Sequence, residues 1–414
     1  MSSKDGKRKR PLVPRLRFPE FREAGEWKRY KLANFLTESR VEGNSGKVAR
    51  KITVKLWGKG VFAKQESIKG SENTKYYKRS AGQFIYSKLD FLNQAFGLVP
   101  KELDGYESTV DLPCFDINDG LNPIFLLEYV KRENFYKKNG EFADGGRKAK
   151  RIQTEIFLSF PIELPHQRAE QQKIADCLSS LDERITLEAQ KLEALKRHKK
   201  GLMQQLFPRE GETLPRLRFL EFREAGEWNS RTIGETCETF SGGTPSTSNK
   251  KFYGGTIPFI RSAEIGESKT ALFLTEEGLS SSSAKIVRKD DVLIALYGAN
   301  SGEVSLCKLN GAINQAILCI RHENNNAFLY QHLTHKKHWI ISAYIQGGQG
   351  NLSGEIVKSL RFNYPDPNEQ QKIADCLSSL DKVISLEAQK LEALKRHKKG
   401  LMQQLFPVLD DGDR

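Results

Sequence analysis

The sequence has no CxxC pair among its six cysteines, Cys114, Cys177, Cys237, Cys307, Cys319 and Cys376, which removes a zinc ribbon or dithiol redox centre from consideration. Free, mostly buried thiols in a reducing cytoplasm are expected. No apolar run approaches the roughly 18–20 residues that cross a bilayer. The start MSSKDGKRKRP is basic but leads into no hydrophobic region, so residues 1–13 read as a basic arm and not as a secretory signal. Catalytic signatures are missing too. GNSGKV at 43–48 lacks the GxxxxGK[ST] spacing that cradles phosphates. Asp366, Glu369 and Lys372 lack the closely spaced acid–lysine pair of a nuclease centre and fall at a helix start. His332, His335 and His338 step around an expected helix without lining one face, which argues against a metal site. There is no aromatic Asp/Asn-Pro-Pro motif for amino methyl transfer and no glycine fingerprint for its cofactor. The expectation is a non-catalytic chain that holds no cofactor or metal of its own.

What is present is a duplication. Nearly the same 39 residues occur at 170–208 and 369–407, differing only where Glu183, Arg184 and Thr186 become Lys382, Val383 and Ser385. A second repeat precedes each half, PRLRFPEFREAGEWK at 14–28 and PRLRFLEFREAGEWN at 215–229. The segments between them, 29–165 and 230–366, show no comparable identity. Two matching connectors imply two equivalent docking sites, and two unlike domains imply two targets. The chain divides into the arm 1–13, a first domain 14–165, a helical connector 166–208, a second domain 209–366, a second connector 367–407 and a tail 408–414.

Ile174, Leu178, Leu181, Ile185, Leu192, Leu195 and Leu202 recur at heptad spacing, as do Ile373, Leu377, Leu380, Ile384, Leu391, Leu394 and Leu401. The seam is interrupted at Glu188 and Lys199. Strong helix formers surround it, and about 37 residues at 1.5 Å each give a rod of roughly 55 Å. Pro208 and Pro407 end the helices. Asp366, Pro367 and Glu369 form a sharp start with a capping box for the second, whereas Gln167 and Arg168 offer the first a weaker one. Gly201 and Gly400, inside the pattern, should each cost about 1 kcal/mol relative to alanine. Each apolar stripe needs a partner. Antiparallel pairing of the two copies within one chain is favoured over a parallel coiled coil formed by dimerisation. The basic runs KRHKK at 196–200 and 395–399 read most simply as charges complementing the helix C-terminal dipole, with contact to DNA as a second reading.

The net charge of +14 is unevenly spread, with twelve basic and three acidic residues between positions 40 and 88 and a net acidic stretch at 89–135. That segregation points to a polyanion-facing side on the first domain. Its aromatic and β-branched runs at 52–57, 84–87 and 156–160 read as strands. Lysine and arginine interleaved with tyrosine and glycine nominate DNA contacts at Lys47, Arg50, Lys51, Lys55, Lys59, Lys75, Tyr76, Tyr77, Lys78, Arg79, Lys88, Arg147, Lys148, Lys150 and Arg151. The second domain has loops rich in Gly, Ser, Thr and Asn, which nominate Ser241, Gly242, Gly243, Thr244, Lys250, Lys251, Arg261, Tyr297, Asn300, Ser301, Gln315, Gln349 and Asn351. Ordinary hairpin turns would use the same residues.

The duplicated PRLRF…EW and EQQKIADCLSSLD…KLEALKRHKKGLMQQLF blocks carry a family likeness. So do FIYSKLDFLNQAFGLVP (84–100), DGYESTVDLPCFDI (104–117), GGTPS (242–246), INQA (313–316) and GNLS (350–353). Over almost its whole length the chain resembles the DNA-specificity subunit of type I restriction–modification systems. The resemblance implies an α/β (α+β) fold with two target-recognition domains separated by two long helices in an antiparallel coiled coil, with pseudo-twofold symmetry. It further implies that each domain reads part of a split DNA site. Two modification subunits would bring S-adenosylmethionine for N6-adenine methylation, and two motor-nuclease restriction subunits would use ATP and Mg2+. The alternatives are a protein-interaction scaffold, or a self-contained DNA methyltransferase or nuclease.

Overall fold

Each long helix gives one half to each of two folding units, Met1–Glu188 with Lys390–Arg414, and Ala189–Gln389. The structure, a computed structural model, describes residues 11–65, 71–141, 151–298, 300–345 and 351–408. These units cut across the chain-order segments, because a helix face is buried by whichever domain reaches it.

In the first unit the strands are β1 (Lys28–Lys31), β2 (Leu36–Ser39), β3 (Glu42–Ser45), β4 (Ile52–Lys55), β5 (Gly60–Ala63), β6 (Lys75–Lys78), β7 (Phe84–Tyr86), β8 (Phe96–Leu98), β9 (Glu107–Ser108), β10 (Cys114–Ile117) and β11 (Pro161–Leu164). The helices are α1 (Pro123–Val130), α2 (Glu133–Gly140), α3 (Thr154–Ser159) and the first half of α4 (Arg168–Leu206). A central sheet runs β2-β10-β7-β8, a second runs β3-β6-β9, and β4 and β5 form a hairpin. The central sheet buries an aromatic core in which Tyr86 and Phe157 lie 4.4 Å apart, centroid to centroid. Asn122 caps α1 by accepting from the Ile124 and Phe125 amides at 2.9 Å each, and Pro123 suits the first turn. The strand expected at 156–160 is instead α3, with Thr154 and Phe157 buried one turn apart. Its apolar run follows the helical period, and the extended segment begins only at Pro161.

The second unit contains β12 (Asn229–Thr232), β13 (Cys237–Ser241), β14 (Tyr253–Ile260), β15 (Leu272–Leu274), β16 (Lys285–Val287), β17 (Val292–Ala295), β18 (Val304–Leu306), β19 (Gly311–Ile313), β20 (Ile317–His322) and β21 (Arg361–Tyr364). Its helices are α5 (Ile233–Thr236), α6 (Glu276–Ser280), α7 (Asn326–Ile340), α8 (Gly354–Ser359) and the first half of α9 (Pro367–Gln404). The central sheet, β13-β20-β17-β18, repeats the order of its counterpart, and β12 pairs β21 as β1 pairs β11. Asn325 caps α7 as Asn122 caps α1, donated to by Phe328 N at 2.9 Å. The outer sheet differs, with four strands ordered β15-β14-β19-β16.

The heptad residues lie on the covered face of α4 and α9. Ile174, Leu178, Leu192, Ile373, Leu377 and Leu391 are buried, and Leu181, Ile185, Leu195, Leu202, Leu380, Ile384, Leu394 and Leu401 are half-buried. In the first unit Ile174 and Leu178 share a core with Leu401 and Leu405, and in the second Leu202 and Met203 share one with Ile373 and Leu377. The segments cross antiparallel, as their ion pairs record. Lys398 meets Asp182 at 2.6 Å and Lys390 meets Glu188, while Lys199 meets Asp381 at 2.6 Å and Lys191 meets Glu387 at 2.5 Å. The interruptions at Glu188 and Lys199 are therefore positions where charge replaces apolar contact. Most of KRHKK lies too far from the helix ends at Leu206 and Gln404 to complement a terminal dipole, and Lys199 and Lys398 serve as cross-helix partners.

Asp366 caps α9, accepting from Asn368 N at 2.9 Å, but Glu369 does not complete a capping box. It is buried and takes Arg218 in a fork, Nε at 2.8 Å and Nη2 at 2.7 Å, while Arg218 Nη1 donates to Ala225 O. Arg17 grips Glu170 with the same distances. The short repeat is thus clasped to the start of the long one in each unit. At Gly201 and Gly400 an added Cβ would meet nothing within 4 Å.

Candidate nucleic-acid interface

In the first unit β6 presents Lys75 and Lys78 to solvent and half-buries Tyr76 and Tyr77. Lys47, Arg50, Lys55 and Lys59 are exposed, with the Arg50 guanidinium 4.6 Å from the Tyr106 ring centroid and Lys47 3.8 Å from Glu72. Lys88 is half-buried, and Arg151 is exposed with Nε 4.0 Å from Asp111. Two nominated cations belong to the interior. Arg79 is 2% exposed and donates to Ser108 Oγ at 2.8 Å and Ser39 O at 2.7 Å, so it ties strands together and offers DNA nothing. Burial lowers its pKa from the usual arginine value. Lys51 is also buried, its Nζ 5.3 Å from the Tyr76 ring centroid. Charge pattern alone could not separate these two from their exposed neighbours. Arg147, Lys148 and Lys150 lie outside the described residues, as does Gln349 in the second unit.

In the second unit the loops after β13 and β19 meet where the exposed Thr244 Oγ1 donates to Gln315 Oε1 at 2.7 Å. Gly242 and Gly243 have an internal reason to be glycine. A Cβ there would lie 1.8 Å from Ile313 O and 1.9 Å from Ser283 Oγ. Close packing of the chain on itself accounts for both. Asn300 Nδ2 donates to Ser262 O at 3.2 Å, and this joins the loop after β17 to the turn after β14. Beside it Arg261 is held by Glu264, with Nη2 at 3.1 Å. Burial opposes the Glu264 charge, yet hydrogen bonds from Arg261, Ala271 and Thr270 bring its pKa down to about 2. Ser301 turns inward to Leu296 O at 2.9 Å, and Ser241 and Tyr297 are half-buried. Lys250, Lys251 and Asn351 are exposed. The second unit therefore brings together Thr244 with Gln315 and Arg261 with Asn300.

His332 and His335 both stack on Phe207, with centroids at 4.5 and 5.3 Å, while His338 is exposed. The first two share a helix face after all, but the face is aromatic packing. No group of three or more metal-ligating side chains occurs among the described residues. No described helix is long and apolar enough to cross a membrane.

The sequence matches the profile of the type I restriction modification DNA specificity domain over residues 115–197 and 225–396. The chain belongs to this specificity family. Among curated relatives, the putative type I restriction enzyme MjaX specificity subunit of Methanocaldococcus jannaschii is 25% identical over 294 residues, 68% of this chain and 66% of that protein. The EcoR124I/EcoR124II specificity subunit of Escherichia coli is 28% identical over 271 residues, 62% of this chain and 63% of its own length. The matched segments thus span about two thirds or less of these two relatives. The crystal structure of a type I restriction-modification system S subunit from M. genitalium shares the fold, with TM-score 0.64 at 16% identity, covering 96% of this chain and 100% of that one. A chain from a structural study of complex assembly and conformational transition of the type I R-M system gives TM-score 0.52 at 18% identity, covering 94% of this chain and 98% of its own. In this chain the two central sheets share one strand order and the outer sheets differ.

Proposed function

We propose that this chain is the address-reading subunit of a type I restriction–modification complex, with each domain reading one part of a split DNA site. The observation that carries the reading is the recurrence of the same clasp and the same cross-helix ion pairs around two different outer sheets. Equivalent frames suit two copies of one partner, and different surfaces suit two different base sequences. A split site whose halves lie about one helical turn, near 34 Å, apart is the expected target. Bases in the gap would go unread. Phosphate contacts from Lys55, Lys59, Lys75 and Lys78 would fix register on the first half-site, while Thr244, Gln315, Arg261 and Asn300 are suited to reading base edges in the second. The chain contributes no catalysis in this scheme. Two modification subunits would bind the repeated helices and bring S-adenosylmethionine for N6-adenine methylation, and restriction subunits would bring ATP and Mg2+ for translocation and cleavage.

Expression with the cognate modification subunit, followed by genome-wide mapping of N6-methyladenine, tests the reading. The expected result is one gapped, two-part motif. Exchanging residues 29–165 for another domain should then alter one half of that motif and spare the other. A continuous motif, or a change in both halves, would overturn the assignment.

A further inference from the structure

The hairpin joining β4 to β5 holds its tip in left-handed backbone. Trp57 has φ of 62° and is 58% exposed. Gly58 and Gly60, at 64° and 93°, take left-handed backbone at no steric cost, whereas a bulky side chain there is strained. The tip is nonetheless fixed. Trp57 N donates to Asn93 O at 2.7 Å and Gly58 N to Gln94 O at 2.9 Å. Beneath it Ile52, Val54 and Val61 are buried with Ile85, Val99 and Cys114, and the hairpin sits so close to β8 that a Cβ at Gly97 would lie 2.6 Å from Val61 Cγ2. An aromatic ring is thus set on a hydrogen-bonded mount and left largely exposed.

Its surroundings indicate what it meets. On the outer face Lys55 Nζ sits 4.3 Å from the ring centroid of Phe62, which is 43% exposed, and Lys59 is exposed beside the tip. Residues 51–64 include four lysines and no aspartate or glutamate. Lysines around an exposed indole match a partner that combines dense negative charge with flat π-faces, and duplex DNA does so. We propose that Trp57 is a wedge that enters the DNA groove at or beside the first half-site and unstacks one base step, while Lys55 and Lys59 hold the flanking phosphates. This rests on the DNA-reading function proposed above and adds a residue that contacts bases.

The test uses the full chain assembled with its modification subunits and a duplex carrying the mapped motif, with 2-aminopurine placed at successive positions in and beside the first half-site. Wild type should raise the fluorescence at one step. Trp57→Asn keeps a side chain that tolerates left-handed backbone. It should abolish that rise, weaken binding on the order of tenfold and leave the melting temperature unchanged or higher. Trp57→Phe should restore the rise. If Trp57→Asn keeps the full signal and binds within about twofold of wild type, the wedge is overturned and DNA reading stands. Loss of the modification subunits from the Trp57→Asn complex would make the hairpin a protein dock and also overturn it. A wild-type complex with no preference among duplexes would instead remove the underlying reading.

Discussion

The two units solve the same packing problem with different chemistry. Counted from the capping asparagines, Glu128, Tyr129 and Arg132 of the first unit stand where the second has Gln331, His332 and His335. On the paired entry and exit strands, Arg29 opposite Glu163 corresponds to Ser230 opposite Asn363. The first unit therefore buries charge. Glu163 is 1% exposed, takes Arg29 Nε at 2.8 Å and accepts from Tyr129 OH, and Lys398 sits between Glu128 at 2.7 Å and Asp182. At the matching node of the second unit Lys199 has Asp381, which also accepts from Gln331 Nε2 at 2.7 Å. Arg132 lies over Phe406, and His335 stacks on the repeat-related Phe207. One architecture thus accepts charged or neutral fillings, and the neutral set leaves Gln331 Oε1 and His332 Nδ1 without a hydrogen-bond partner among the described residues.

The clasps should give the largest effects. Arg17→Ala and Arg218→Ala each strand a buried carboxylate, a loss of about 3–5 kcal/mol. Glu170 keeps a second donor, Trp27 Nε1 at 3.3 Å, whereas Trp228 Nε1 has no partner among the described residues. Arg218→Ala should therefore cost more, by roughly 1 kcal/mol, as read by hydrogen-exchange protection of the affected unit. Equal losses would mean that the indole contributes nothing.

The lysine nodes come next. Lys398→Met leaves two carboxylates facing each other and should cost about 3 kcal/mol, against about 1–2 kcal/mol for Lys199→Met. Glu128→Gln copies the arrangement of the second unit and should cost less than about 1 kcal/mol. Denaturant titrations of the three variants check this order.

Acid should separate the units as well. Burial lowers the pKa of His322 and His335 to about 4 and that of His332 well below the usual histidine value. A depressed pKa means the unfolded chain binds the proton first. The stabilisation is complete above about pH 6.5 and fades as pH falls toward 4, on the order of a few kcal/mol per histidine. In the first unit burial works against the Glu128 charge, but Lys131 and Lys398 hold its pKa below the ordinary glutamate value, so that contribution fades only at lower pH. Hydrogen exchange between pH 7 and 4.5 should loosen the second unit first, and His335→Arg should narrow the gap. The smallest effect is expected at Gly201→Ala and Gly400→Ala, each raising helix stability by about 0.5–1 kcal/mol, visible as a higher melting temperature.

The long helices were legible in the sequence because a heptad seam is a local, repeating signal, and even its interruptions at Glu188 and Lys199 marked real chemistry. The shared central sheet was not. Phe84, Ile85 and Tyr86 occupy the strand position of Val292, Leu293 and Ile294 with all six side chains buried, and burial without alternation leaves no period to compare. The nominated contacts divided for a related reason. Arg79 and Lys78 are adjacent and both basic, but Lys78 ends β6 exposed whereas Arg79 just after it is buried, and the partners that hold it there, Ser39 and Ser108, are distant in sequence.

The clasp has one more consequence. Because Arg17 meets Glu170 while β1 pairs β11, the two ends of the first domain are tied together whatever lies between them, and Arg218, Glu369, β12 and β21 do the same for the second. Each domain is a closed loop, and loop-closure entropy grows only logarithmically, by about 0.6 kcal/mol for each doubling of length. An outer sheet can gain or lose a strand at little cost to the frame, so the part that differs between the two units is also the part whose variation the fold tolerates best.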